Sequence, residues 1–271
     1  MAWSERDGES RPPLRQPRLA EMVAAMLRQR ILSGALADGD RLPKQSDLLA
    51  EFHVSRPSIR EALRILETEG LVTVRRGNLG GATVHAPEVH DTAYMLGLVL
   101  QGKQVELDDV GVALRHMEPA CAALCAGSAD RRHVVAELRD IQRDTVAAVD
   151  DDIRFVDHAR RFHEQLVALC GNESMKVMVG ALESVWSAHE RAWARTASGA
   201  GSFPSADLRR QGIDAHGRIL SLVERGDPRQ VMDAAYRHLQ QSQIYALADG
   251  GPTRVEAARL RTSIRLPSLR I

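Results

Sequence analysis

Apolar positions in the first third of the chain change their period. From Arg18 to Ser33, Leu19, Val23, Met26, Leu27 and Ile31 fall at spacings of three and four, the stripe of an amphipathic helix that Gly34 stops. After the turn GALADGDRLP, Ser46 is placed to cap a short helix through Phe52. Ser55 is placed to cap a longer one from Arg56 to Glu69, closed by Gly70. Two short capped helices separated by FHVS predict a helix-turn-helix. LVTVRR and GATVH then read as strands around Gly77, Asn78, Leu79, Gly80 and Gly81, the composition of a hairpin. Residues 18–86 are therefore expected to form a winged helix-turn-helix, and the polar, proline-containing residues 1–17 a mobile arm.

Beyond Ala86 the strand signals vanish. Helical patterns follow at about 92–101, 106–127, 130–149, 151–170, 173–197, 206–225 and 228–248, so residues 92–248 predict an all-α helical bundle and the chain a mainly α fold. Three joints carry local signals: Asp130 before RRHVVAEL, Gly171-Asn172 after LVALC, and Asp227-Pro228 with Gln230 three residues after the aspartate, which resembles a capping box. Segment 251–271 has five arginines and one glutamate and ends RLPSLRI, so residues 249–271 are expected to be a basic, solvated tail.

Composition narrows the class. In 271 residues, 44% are hydrophobic, 27% charged and 4% aromatic, which suits a globular, Ala/Leu/Val-cored protein rather than a disordered chain. No apolar run approaches the roughly 18 to 20 residues of a membrane span, and the N-terminus lacks the apolar stretch of a secretory signal, so a cytoplasmic location without membrane partners is expected. Cys121, Cys125 and Cys170 are an odd number with no CxxC pair and read as small core residues. Formal net charge is +0, from 36 Lys+Arg against 36 Asp+Glu. This excludes a generally basic surface for nucleic acid but leaves room for a local basic face. Lys44, Lys103 and Lys176 are the lysines, so arginine is abundant and carries little information by itself.

In the helix from Arg56, Ile59, Ala62, Leu63 and Leu66 share one face, while Arg56, Arg60 and Arg64 step away from it at i, i+4 and i+8. The N-terminal end of such a helix, with its unpaired N–H groups, meets phosphates and base edges in helix-turn-helix readers, and arginine can bridge guanine O6 and N7 or clamp phosphate. The run LPKQSDLLAEFHVSRPSIREALRILETEGLVTVRRGNLGGATV resembles the DNA-binding domain of GntR-superfamily transcription regulators over about 70 residues. The resemblance implies that Arg56 and Arg60 contact DNA with Ser58 between them. It makes Gly77 the glycine of the wing tip and puts Arg76 beside the minor groove. Two positions depart from the pattern: Ser46 stands where an arginine usually contacts DNA, and His53 where a glycine usually makes the turn. Histidine is among the non-glycine residues enriched at positive φ.

His163, His216 and His238 each lie on or beside an apolar stripe of a different expected helix. Helices packed in a bundle can bring such side chains to one point, where three neutral imidazoles suit zinc, nickel or another divalent ion. Periodicity by itself favours the plainer reading, three unrelated half-buried histidines. RHMEPACAALCA, FHEQLVALCGN, DAHGRIL and YRHL resemble segments of the helical effector-binding domain of the FadR-like (FCD) branch, over most of residues 92–245. That resemblance implies that His163, His216 and His238 bind a divalent metal, with a fourth ligand, an aspartate, four residues before the first histidine. Here that position is Ala159, and Asp157, six residues before His163, points to a different face. Water or an effector carboxylate would complete the shell. The resemblance also implies that Arg115 pairs with an anionic effector; a salt bridge to Glu118 one turn on is the alternative. Trp186 and Trp193, with Arg191 and Arg195, would line the cavity rim or a dimer contact, and Asn172 reads as a helix-joint residue.

These readings converge on a homodimeric transcription regulator, most simply a repressor, that binds a double-stranded DNA operator and responds to a small carboxylate effector, with or without a divalent metal. An architectural DNA-binding dimer without effector is the second reading. A metal-dependent enzyme fused to a DNA-binding head is the third, and the sequence offers no positioned general base for it.

Overall fold

The computed structural model describes residues 16–75, 81–247 and 254–263. Its chain divides into two compact units, one through Pro87 and one over Glu88–Ile264.

In the first unit, α1 (Gln16–Leu32), α2 (Gln45–Phe52) and α3 (Arg56–Thr68) precede β1 (Val72–Arg75) and β2 (Gly81–Val84). The two strands pair antiparallel with Val72 opposite Val84 and Arg75 opposite Gly81. The turn before α2 extends the small sheet: Leu42 N donates to Ala82 O at 2.9 Å and Val84 N to Asp40 O at 2.8 Å. The apolar stripe of α1 meets that of α3, and Leu27, Leu48, Ile59, Ala62, Leu66 and Val84 are buried together. Arg28 adds two hydrogen bonds from α1 to Glu69 at the end of α3.

Local chemistry sets the turn between α2 and α3. His53 takes the left-handed conformation at φ 51°, ψ 40°, so the glycine-like turn is made by a histidine whose side chain stays exposed. Ser55 caps α3, its Oγ accepting from Ser58 N. Ser55→Ala is expected to cost about 0.5 to 2 kcal/mol, the usual worth of a serine cap, read as a lower thermal midpoint of this unit; an unchanged midpoint would refute the cap's contribution. Ser46 does not cap α2. Lys44 occupies the N-cap position without a side-chain bond, and Ser46 Oγ lies 3.0 Å from Asp47 Oδ1 inside the first turn.

The second unit consists of α4 (Val89–Gly102), α5 (Leu107–Gly127), α6 (Arg131–Ala147), α7 (Asp152–Ala168), α8 (Glu173–Ala200), α9 (Ala206–Arg225), α10 (Pro228–Leu247) and a 3₁₀ turn over Ala257–Ser263. α5 runs through the middle, packed on α10, α8, α9 and α7. Its buried stripe of Leu107, Val110, Leu114, Cys121, Cys125 and Ala126 meets Phe162, Leu166, Trp186, Ile219 and Val223. Burial pushes the Cys125 thiol up to about 12 and the Cys121 thiol up as well, so both are inert core groups. Asn172 caps α8 through Met175 N, and Asp227 accepts from Gln230 N while Gln230 Nε2 donates back to it. Asp130 precedes α6 but makes no capping bond; instead its own N–H donates to Ser128 Oγ. α4 begins at Val89, earlier than its apolar pattern, because Asp91 Oδ2 accepts from Glu88 N and fixes the first turn.

The expectation of a solvated basic tail fails over residues 254–263. Val255 N donates to Val105 O at 2.9 Å, Ala257 N to Gln101 Oε1 at 2.7 Å and Glu256 N to His189 Nε2 at 2.9 Å. Val255, Ala257 and Leu260 are buried between α4 and α8. Gly97 makes that approach possible, since a Cβ there would lie 2.5 Å from Leu260 Cδ1.

Candidate DNA-reading helix and histidine cavity

On α3, the apolar face is consumed by the core and the opposite face carries Arg56, Arg60 and Arg64, all exposed. Arg64 lies 3.4 Å from Glu61. Arg56 and Arg60 have no hydrogen-bond or ion-pair partner among the described residues, so two guanidinium groups stand free at the helix start, where the helix dipole adds positive potential. Ser58 differs from expectation. It is buried and its Oγ lies 3.0 Å from Ser55 Oγ, so its hydroxyl closes the helix start instead of facing outward. Arg76 and Gly77 lie outside the described residues.

In the second unit, α7, α9 and α10 bring His163, His216 and His238 to one buried point. Their Nε2 atoms face one another at 2.9 Å (His216 to His238), 3.2 Å (His216 to His163) and 3.3 Å (His238 to His163). Ligands about 2.0 to 2.1 Å from an ion lie ~2.9 Å apart at right angles and ~3.3 Å apart at tetrahedral angles, so the spacing fits a divalent ion with three imidazole ligands. Two contacts set the ring orientations. Phe162 stacks on His216 with centroids 4.0 Å apart, and Glu118 Oε1 lies 2.6 Å from His163 Nδ1. A proton on that Nδ1 leaves Nε2 with a free lone pair, the tautomer a metal ligand needs.

The charge states agree. Burial, then the Arg160 charge, holds the His163 pKa down at about 3. Burial pushes His216 and His238 well below the ordinary histidine value too. All three are neutral at pH 7 and can donate lone pairs. Behind them, burial raises the pKa of Glu118 and of Glu183, and the Arg160 charge opposes the rise at both. Glu118 Oε2 and Glu183 Oε1 are buried with no hydrogen-bond donor among the described residues.

Arg160 balances this acidic layer. It is buried, bonded to Glu183 and to Ser187 Oγ, and 3.3 Å from Glu190. Burial works against its charge, but Glu183 and Glu190 raise its pKa and keep it ionised. Sequence reasoning missed it because arginines are everywhere in this chain. The available signal was its place on the stripe Val156, Arg160, His163, Val167, where a charge replaces an apolar residue at helical spacing.

Arg115 does not line the histidine cavity. It donates to Gln243 Oε1 and lies 3.5 Å from Asp108, so the Glu118 pairing is not formed. Glu118 is instead drawn to His163. Trp186 is buried in the core, with Nε1 donating to Glu190 Oε2 at 2.7 Å. Trp193 lines the cavity, while Arg191 is paired with Asp157 and Glu164.

The histidines open on a cavity of about 370 Å³ whose walls include Ala159, Arg160, Trp193, Phe203 and Arg209. Ala159, one turn before His163, lines the same cavity with no more than a methyl group. Three inward ligands with an open position form a site that can take up an exogenous oxygen ligand.

Comparison with known proteins agrees with both units. Residues 19–82 match the family described as bacterial regulatory proteins, gntR family, and residues 109–241 match the FCD domain. An HTH-type transcriptional repressor NanR of Edwardsiella tarda is 30% identical over 241 residues, covering 84% of this chain and 85% of the relative. The NanR repressor of Citrobacter rodentium is 32% identical over 179 residues, covering 63% of this chain and 65% of its own length. Among solved structures, Streptococcus agalactiae GntR has the same fold, with a TM-score of 0.65 at 22% identity over 83% of this chain and 98% of the other. Among the described residues no helix is long and apolar enough to cross a membrane. The chain belongs to the GntR family of bacterial regulatory proteins, a class of DNA-binding transcription regulators rather than enzymes, and carries the family's winged helix-turn-helix together with an FCD domain.

Proposed function

We propose that this chain is a homodimeric transcriptional repressor whose operator affinity is set by a small carboxylate bound beside a divalent metal in the helical unit. The observation that carries the reading is the convergence of three buried, neutral imidazoles on an open cavity, in a chain whose α3 presents Arg56 and Arg60 unpaired. His163, His216 and His238 would hold the metal, with zinc and nickel best matched to an all-imidazole set. When bound, the metal supplies a positive centre with an open coordination position for a carboxylate oxygen. Glu118 holds His163 in the ligand tautomer, Phe162 fixes the His216 ring, and the Ala159 side chain leaves space for the incoming ligand.

Arg56 and Arg60 bind and orient on DNA. In a dimer two such helices must meet successive major grooves, roughly 34 Å apart, so an effector that favours a different separation of the heads lowers operator affinity. Repression relieved by ligand follows from that linkage, and the relatives named above as repressors support it.

Duplexes selected from a random DNA pool by the purified protein provide the test. Arg60→Ala is expected to weaken binding to the selected duplex by about 1 to 3 kcal/mol without moving the unfolding midpoint of the bundle. Undiminished affinity would remove α3 as the reading element.

A further inference from the structure

The histidines occupy one end of the cavity, and the other end is chemically different. We propose that the effector is an arylalkanoic acid bearing a ring oxygen: its carboxylate meets the histidine end, its ring lies among Phe155, Trp193 and Phe203, and the ring oxygen accepts a hydrogen bond from Arg209 Nε. The inference rests on the metal and carboxylate reading above and narrows it to one class of acid.

Three observations carry it. First, aromatic side chains are scarce, ten Phe, Trp and Tyr in 271 residues, yet three of them line this one cavity together with Pro204 and Leu208. Trp193 and Phe203 are packed with centroids 5.5 Å apart. Second, the two ends are separated along the helices. Phe155, Ala159 and His163 recur every four residues on one face of α7, which puts Phe155 about 12 Å along the axis from His163. On α9, Arg209 precedes His216 by seven residues, a rise of about 10 Å. A carboxylate joined to a ring by a short chain crosses such a span.

Third, Arg209 has an unused donor. Its Nη1 is committed to Asp152 Oδ1 at 2.8 Å, and its guanidinium carbon lies 5.3 Å from the Phe203 centroid and 6.0 Å from that of Phe155. Its Nε is buried with no hydrogen-bond partner among the described residues. A buried donor without an acceptor is costly, and here it belongs to a residue of the cavity wall. Because Asp152 already neutralises Arg209, the fitting acceptor is a neutral oxygen, a phenol hydroxyl or ring carbonyl, rather than a second carboxylate. Polyhydroxylated acids are disfavoured for the same reason, since their hydroxyls would lose water against Phe155, Trp193 and Phe203. At Arg160, by contrast, each of the three nitrogens already faces Ser187, Glu183 or Glu190.

The test is calorimetric titration of zinc-loaded full-length protein with 3-(4-hydroxyphenyl)propanoate, 3-phenylpropanoate, succinate and gluconate. The hydroxyaryl acid is expected to bind at least tenfold more tightly than succinate or gluconate, and several-fold more tightly than 3-phenylpropanoate. Phe203→Leu, and separately Trp193→Leu, should cut that affinity at least fivefold while zinc content by elemental analysis stays at the wild-type value. Succinate or gluconate binding as tightly as the aryl acids would overturn the inference and leave the carboxylate reading standing. No acid binding to the zinc-loaded protein would overturn both. Unchanged aryl affinity in both variants would remove the ring seat and the inference with it.

Discussion

Arg160→Ala is expected to destabilise the helical unit by about 3 to 5 kcal/mol, the usual penalty for removing one partner of a buried ion pair. Arg160 is 3% exposed and faces Glu183 at 0% exposure. Its removal leaves Glu183, Glu190 and Glu118 in a low-dielectric layer with no cation to offset them. The loss comes from abandoned charge rather than from the vanished contact alone. The double variant Arg160→Met with Glu183→Leu should therefore recover most of what Arg160→Ala loses, since paired apolar replacement of a buried ion pair is often neutral. Urea unfolding of the bundle reads both. A loss under about 1 kcal/mol in Arg160→Ala would mean that the acidic layer does not depend on this cation.

The second large effect concerns the metal. His216→Ala is expected to abolish stoichiometric zinc and the stabilisation that zinc confers, because two imidazoles remain where three converged. At a free zinc concentration 100 times Kd, wild-type protein gains about 2.7 kcal/mol by mass action, and the variant should gain none. Glu118→Gln is expected to be milder, lowering metal affinity about 10- to 100-fold through the orientation of His163. Elemental analysis together with thermal unfolding distinguishes the cases, and a full zinc complement in His216→Ala would reject the site. The pH sense also follows. Burial lowers the folded-state pKa of His163 to about 3, below the ~6.5 of an unfolded histidine. The neutral buried form therefore contributes stability above pH ~6.5, which is lost as the pH falls toward 3.

Much of this architecture was legible in the sequence. The helices follow stripes of period 3.6 with Gly34, Gly70 and Asn172 at their joints, and Ser55 announced the start of α3. His163, His216 and His238 were visible as residues but not as a cluster, because periodicity fixes the face of each helix and not the crossing that joins three of them. The partners of Arg115 were hidden for a related reason. Its helix was found, but rotation and neighbours sent its side chain to Gln243 and Asp108. The charged layer escaped notice although each member marks an apolar stripe: Glu118 between Leu114 and Cys121, Arg160 between Val156 and His163, Glu183 between Val179 and Trp186. Residues 254–263 were misread because Val255, Ala257 and Leu260 make a short apolar pattern amid arginines, and their bed on Gly97 belongs to a helix some 160 positions earlier.

That long return has a consequence for the order of events on the ribosome. The head unit closes its core with residues no further apart than α1 and β2, so it can fold as soon as β2 has emerged. The bundle cannot finish so early. The backbone bond from Val255 to Val105 and the seat of Leu260 against Gly97 join its first helix to a segment translated some 150 residues later. Until that segment arrives, α4 and α8 keep an apolar groove open to solvent. During synthesis the chain thus passes through a state with a finished head and a bundle whose α4–α8 seam is still unsealed.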